Sequence, residues 1–330
     1  MKKISILLYG LALWALSGSC IHEYPQEVAV KEVTLEIELY PDLEFIPLPV
    51  ITKADESIVP AGYFPRVIVE ARRAGETAPE VRAVMALSAD ELMNPKLTLP
   101  VPLNLKSVPY QLTVWVDYTR AESLPDAHYN TENLRSICYT SPYEEDYTRR
   151  EAFFGNASID LSGQEGRSTV QVDIHRPLAH YRVVATDVQE FLNKQHANGR
   201  PGAGEYDVTV SYQYFLVTHL NAVTGEPVLS GPGFGYTRRI NMTGDMDECE
   251  LGADYVLADD KGSLVTVTVE VKDTGGALLG RNTNLEIPYR RGHITTIEGA
   301  FLSTGSGSSS GGIDIGVDGD YEGEINIETN

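Results

Sequence analysis

The side chains able to do chemistry are dispersed along this 330-residue sequence, and their spacing does not assemble a reaction centre. The seven histidines are His22, His128, His175, His180, His196, His219 and His293. They include no HxxxH or HExxH pair, the spacing that sets two imidazoles on one helical face around a metal. There is no Gly-x-Ser-x-Gly elbow, no glycine-rich phosphate loop after a strand and no CxxC pair. The expectation is a protein that is not an enzyme, with no catalytic residue, no metal and no cofactor.

Three other groupings bear on binding. Asp318, Asp320 and Glu322, with Gly323 and Ile325, fall at places one, three, five, six and eight of a calcium loop counted from Asp318. Place twelve, where a bidentate Glu closes the shell, is Thr329, so the cluster reads as an acidic turn between two short strands. Tyr139, Tyr143 and Tyr147 recur every four residues and could line a glycan-stacking surface, although ordinary packing within a loop explains them more simply. Cys138 and Cys249 either pair across the chain or act as small buried hydrophobes.

The elements that must position these groups are strands. Residues 33–39 alternate Val33, Leu35, Ile37 and Leu39 with Thr34, Glu36 and Glu38, the period-two pattern of a half-buried strand. The same alternation predicts strands at 67–71, 81–87, 97–103, 110–118, 152–155 and 168–174. Residues 41–60 are proline-rich and read as extended chain, and a polar excursion runs from Arg120 to Arg150, with brief pairing at 134–139. Past a break at His175-Arg176-Pro177, strands are predicted at 179–186, 206–220, 264–272 and within 285–301. One short helix is expected at 187–195, with Asp187 as its N-cap and Val188, Phe191 and Leu192 on its buried face. Residues 305–312 form a Gly/Ser linker, followed by two short alternating strands that hold Ile313, Ile315 and Val317, then Ile325 and Ile327. Short strands with frequent turn signals indicate an all-β sandwich.

The start of the chain is an export address. Lys2 and Lys3 precede an apolar run, residues 4–16, which is too short to cross a bilayer, and small residues then lead to Cys20. Residues 1–19 are therefore expected to be removed. The formal net charge is −21, and loss of Lys2 and Lys3 takes it to −23, which argues against nucleic acid and anionic lipid as partners. The length suggests two domains, 31–176 and 177–304, after a tether at 20–30 and before a tail at 305–330.

Ser17-Gly18-Ser19-Cys20 resembles the lipobox of bacterial lipoproteins, with Leu16 one place earlier than the consensus leucine. The resemblance implies lipidation at Cys20. Four further stretches resemble a fimbrillin-like lipoprotein family of the Bacteroidales, relatives of type V pilus subunits and fimbrial anchors. The first comprises Val114-Trp115-Val116-Asp117-Tyr118, His128-Tyr129-Asn130-Thr131 and Arg150-Glu151-Ala152-Phe153-Phe154-Gly155. The others are Arg176-Pro177-Leu178-Ala179, the run 289–302, and the tail ending Asp320-Tyr321-Glu322-Gly323-Glu324-Ile325-Asn326-Ile327.

That likeness implies two transthyretin-like β-sandwich domains in tandem with a short C-terminal extended tail. It also implies a lipid-anchored place on the outer membrane and cell surface, and a role as subunit, anchor or accessory in fimbriae and adhesion. In polymerising members a protease cuts after a basic residue, removes the first strand, and the next subunit's tail fills the groove. Transferred here, the displaced strand holds Val33, Leu35, Ile37 and Leu39, and the donor holds Ile313, Ile315, Val317, Ile325 and Ile327. The processing candidates are Lys53 and Arg66; between Cys20 and Arg66 the only basic residues are Lys31 and Lys53. The implied partners are other fimbrial subunits through strand exchange, the outer membrane through the lipid, and a host or bacterial surface ligand. The other reading is a surface glycan-binding lipoprotein.

Overall fold

Alternating apolar residues lay the chain down as strands. In the computed structural model, which describes residues 33–41, 62–88, 97–140, 143, 149–200, 202–303, 314–316 and 327–328, a single helix accompanies twenty strands. Among these residues no helix is long and apolar enough to cross a membrane.

The first half contains β1 (Val33–Pro41), β2 (Phe64–Arg73), β3 (Val81–Ala86), β4 (Leu97–Leu105), β5 (Pro109–Thr119), β6 (Tyr129–Asn130), β7 (Ile137–Tyr139), β8 (Ala152–Asp160) and β9 (Gly166–His175). Seven of them form one sheet in the order β3-β2-β5-β8-β9-β1-β4. The join between β8 and β9 is narrow, consisting of Phe154↔His175 and Gly155↔Ile174. A Cβ on Gly155 would lie 2.3 Å from the Asp173 carbonyl oxygen, so only glycine lets the two strands cross this closely. The sheet folds over there, and its two parts close on a core that includes Ile37, Leu39, Val69, Leu103, Leu105, Val114, Val116, Val170 and Val172.

The second half contains β10 (Leu178–Ala185), α1 (Val188–Ala197), β11 (Gly204–Tyr212), β12 (Leu216–Asn221), β13 (Glu226–Gly231), β14 (Gly235–Met242), β15 (Cys249–Leu257), β16 (Ser263–Asp273), β17 (Leu278–Tyr289) and β18 (Ile294–Gly299). Beyond it are β19 (Asp314–Gly316) and β20 (Ile327–Glu328). The sheets are β14-β11-β16-β17 and β15-β10-β18-β19-β20. Val265, Val267, Val269 and Val271 point into their shared core, as the alternation predicts.

Both halves repeat one connectivity. Leaving out β6, β7, β12 and β13, each half has seven strands in sequence. In each, strands three, two, five and six are neighbours, and strands four, one and seven are neighbours. The first strand runs parallel to the seventh in both, as β1 on β9 and β10 on β18. The omitted strands are two insertions, and they pair with one another in a fourth sheet, β13-β12-β7-β6. His219↔Cys138 and Leu220↔Ile137 are its cross-links between the halves. A third core, with Ile68, Trp115, Tyr129, Leu134, Ile137 and Phe154 on one side and Leu178, Leu220, Tyr255 and Leu257 on the other, packs beneath it.

Two expectations need correction. The single strand expected at 206–220 is two: the Gln213 N–H donates to the Thr266 carbonyl at 2.9 Å, Tyr214 and Phe215 turn outward, and β12 leaves for another sheet. The helix forms with Val188, Phe191 and Leu192 buried, but the Asp187 side chain does not cap it. Its Oδ2 instead accepts the Leu302 and Ser303 N–H groups at 3.0 and 2.5 Å, tying the start of α1 to the end of the second half.

Candidate functional site

The first strand and the tail are where the family resemblance implies exchange, so their neighbours define the candidate site. β1 is an interior strand. It runs parallel to β9 from Val33↔Gly166 to Pro41↔Ile174 and antiparallel to β4 from Val33↔Leu105 to Leu39↔Leu97. Ile37 and Leu39 project into the core, while Gln171 reaches across from β9 to donate to the Glu38 carboxylate at 3.4 Å. β4 is the edge of the sheet, and β1 is its only ladder neighbour among the described residues. Taking β1 out would leave a lane with backbone groups facing it from both sides and two apolar sockets open to water.

Of the residues in the proposed donor, Ile315 lies in β19 and Ile327 in β20. β19 adds antiparallel to β18 through Thr296↔Gly316, Ile297↔Ile315 and Glu298↔Asp314, and β20 adds to β19. Cys20, Lys53, Ile313, Val317 and Ile325 lie outside the described residues, as do Asp318, Asp320, Glu322 and Thr329. Val33 and Leu35 lie in β1 as expected.

Arg66 sits in β2 and is 2% exposed. Its Nε and Nη2 donate to the two Asp117 oxygens at 2.6 and 3.0 Å, and Nη2 also reaches Asp126 at 2.7 Å. Burial works against its charge, but the Asp117 and Asp126 carboxylates outweigh that and hold the guanidinium protonated. Trp115 Nε1 donates to Asp117 at 3.0 Å, completing the shell. A protease reaching the bond after Arg66 must first open β2, the strand between β3 and β5.

The residues that sequence reasoning missed form a buried polar knot where the halves meet. Arg150 pairs with Asp254, both almost wholly buried. Asp254 Oδ2 also accepts the hydroxyls of Tyr143 at 2.5 Å and Tyr212 at 2.6 Å, and Tyr212 meets Tyr181 at 2.8 Å. The Arg150 guanidinium lies 4.4 Å from the Tyr143 ring centroid. Burial pushes the phenols of Tyr129, Tyr143, Tyr181 and Tyr212 well above their usual range, so they remain neutral. A second buried pair, Arg176 with Glu151 at 2.5 and 3.0 Å, fixes the crossing from β9 to β10. Tyrosine content was the available signal, but nothing in spacing ties Tyr143 to an aspartate 111 residues later.

This knot agrees with ordinary packing as the simpler reading of Tyr139 and Tyr143. Their rings meet edge to face at 5.2 Å, both pack against Phe234, and the Tyr139 hydroxyl accepts the Leu257 N–H at 2.8 Å. Both rings are half-buried among other aromatic side chains, and Tyr147 lies outside the described residues. Both Cys138 and Cys249 are free thiols. Among the described residues no three His, Cys, Asp or Glu side chains gather as metal ligands. The histidines are dispersed in the fold as they are in the sequence: His128 stacks on Tyr63, His180 packs on Tyr255, and His293 Nδ1 lies 2.9 Å from the Arg291 carbonyl.

A model of a family of unknown function, DUF6562, matches residues 25–330. No curated protein matches the chain. Among solved structures, the fimbrial anchor protein Mfa2 from Porphyromonas gingivalis is similar over 91% of this chain and 100% of its own, at 12% identity and a TM-score of 0.48. A fimbrial assembly protein from Parabacteroides distasonis is similar over 89% of this chain and 98% of its own, at 11% identity and a TM-score of 0.40. A proposed polysaccharide-binding protein from Bacteroides thetaiotaomicron is similar over 89% and 98%, at 10% identity and a TM-score of 0.48.

Proposed function

This chain belongs to DUF6562, a family of unknown function, and we propose that it is a fimbrillin-like surface lipoprotein, a fimbrial subunit, anchor or accessory that assembles by strand exchange and contributes to adhesion. The observation that carries the proposal is the seat of β1: an N-terminal strand fills an interior lane, with ladder partners on both sides. Vacating such a lane creates a groove that only another extended, alternating strand can refill, because main-chain hydrogen bonds set its direction and alternate sockets set its register. Residues 314–316 and 327–328 of the tail already occur as strand, with β19 paired to β18. The shared connectivity of the two halves supports tandem transthyretin-like sandwiches. Cys20 carries the lipid in this reading, on the outer membrane and facing outward, and the partners are neighbouring fimbrial subunits.

Lys53 is the processing residue in this scheme, since it lies after β1 in sequence and Arg66 is sealed inside β2. Intact mass and N-terminal sequencing of shed and membrane fractions test it. A start after Lys53 identifies a cleaved, polymerising subunit, and an acylated Cys20 in every fraction identifies a permanent anchor or accessory. Deleting residues 311–330 should abolish higher-order assemblies while leaving the monomer folded; assembly that survives the deletion sinks the strand-exchange reading.

A further inference from the structure

Among the described residues, each sheet edge carries charges or prolines or is short, and β13 carries its own only at its first two residues. β3 carries Arg82, β4 contains Pro100 and Pro102, and β15 carries Glu250 and Asp254. β14 carries Arg238 and Arg239, β17 carries Arg281 and Glu286, and β6 and β20 are two residues long. Charges, prolines and brevity are how native sheets keep an edge from pairing with another chain. β13 has Glu226 and Pro227 at its start and then Val228-Leu229-Ser230-Gly231, with no charge and no further proline.

The same strand is exposed on both faces. Val228, Leu229 and Ser230 are consecutive and all exposed, Leu229 at 57%, so the β12–β13 ribbon stands out from the molecule. Tyr214 and Phe215, the latter 68% exposed, lie in the loop that leads into β12, at the end where Leu216 pairs with Gly231. Four of the seven exposed large apolar side chains among the described residues are therefore on this ribbon or its lead-in loop. Its outer row of backbone groups has no ladder partner among the described residues.

We propose that β13 is a self-association edge, at which a second copy of this chain pairs its own β13 antiparallel about a two-fold axis. The strand is self-complementary in that arrangement. With the axis through Leu229, each Leu229 faces its own copy, each Val228 a Ser230 and each Pro227 a Gly231, facing residues sharing a face as the pleat requires, so no like charges oppose one another. Glu226 is moreover held by Lys261 at 3.5 Å within its own chain. The pairing would continue the sheet β6-β7-β12-β13 into the second copy and cover the apolar edge. The interface is small, in the range below about 1,200 Å² where association is weak and concentration-dependent. The net charge of −21 on each chain opposes it at long range, and at an ionic strength near 0.1 M that repulsion is screened beyond ~10 Å. This edge is independent of β1 and of the tail.

Sedimentation velocity of the full chain over a wide concentration range tests the proposal. The expected result is a monomer–dimer equilibrium that salt strengthens, that Leu229→Lys abolishes, and that Val84→Lys on edge strand β3 leaves intact. A wild-type chain that stays monomeric throughout, a dimer that salt dissolves, or a dimer that persists in Leu229→Lys would each overturn it. So would a monomer whose β13 instead takes up a synthetic peptide of residues 311–330. Should Leu229→Lys fail to fold by circular dichroism, oxidation of Leu229→Cys in a Cys20→Ser/Cys138→Ser/Cys249→Ser background decides. Covalent dimer supports the pairing, and its absence overturns it.

Discussion

Tyr143 donates its hydroxyl to Asp254 at 2.5 Å across 111 residues of sequence, and Arg150 pairs with the same carboxylate. Asp254→Ala would leave a buried guanidinium without its counter-charge, a loss of ~3–5 kcal/mol. Tyr143→Phe, which leaves Tyr212 and Arg150 on the carboxylate, should cost only about 1 kcal/mol. Urea denaturation of the two variants checks the ratio; equal losses would mean that the knot is not held through Asp254.

Gly155 is the close crossing of β8 and β9. Gly155→Val must push the strands apart against the Asp173 carbonyl and the Ile174 and Val172 side chains, and should destabilise by ~1–3 kcal/mol or more. The same substitution at Gly163, where an added Cβ meets nothing within 4 Å, also carries a backbone cost from its φ of +74°, so Gly244, open and without such a φ, is the better control. Thermal unfolding of the Gly155 and Gly244 variants side by side gives the answer.

His180 is buried on β10 beside Tyr255, and burial lowers its pKa to about 4, with Arg182 and Arg176 lowering it and Glu250 opposing. The unfolded chain binds that proton near pH 6.5. Stability from the neutral imidazole is thus full above about pH 6.5 and is lost as pH falls toward about 4. His180→Gln should flatten that part of the stability–pH curve; an unchanged slope would assign the acid sensitivity to other groups.

Arg66 should resist proteolysis. Limited trypsin digestion of the folded chain should give no new N-terminus at Val67, although the bond is a consensus site in the unfolded chain. Arg66→Ala removes the partner of buried Asp117 and should cost ~3–5 kcal/mol, exposing neighbouring bonds to the protease. Early cleavage after Arg66 in the native chain would contradict its burial.

The strands that alternate strictly were legible: Val265 to Val271 on β16, Leu112 to Val116 on β5, Val170 to Ile174 on β9. β15 was not, because Cys249–Leu257 is buried at every position but Glu250 and includes Gly252 and Asp254, so neither period nor polarity marks it as a strand. β13 is not predicted for the opposite reason, since a ribbon wet on both faces has no buried side to alternate. The break after Tyr212 depends on where Gln213 finds its carbonyl, on a strand more than 50 residues later. The seat of β1 followed from its alternation only as a strand; that it is interior, between β4 and β9, is a property of sheet order. The polar knot lay beyond reach, since Tyr143 and Arg150, Tyr212 and Asp254 come from three separate stretches and resemble ordinary surface residues until burial makes them partners.

The bridging sheet sets an order of events during synthesis. β7 leaves the ribosome with Cys138 and Ile137 needing His219 and Leu220, which follow about 80 residues later. Until then the first half carries a two-stranded flap over Trp115, Tyr129 and Leu134, and isolated two-stranded ribbons are marginal in water. The first half therefore cannot mature before the β12–β13 ribbon of the second arrives, and a chain stalled or truncated between the halves exposes that apolar floor. Under the proposed export as a lipoprotein, this would keep the chain in a threadable state until its second half has been made.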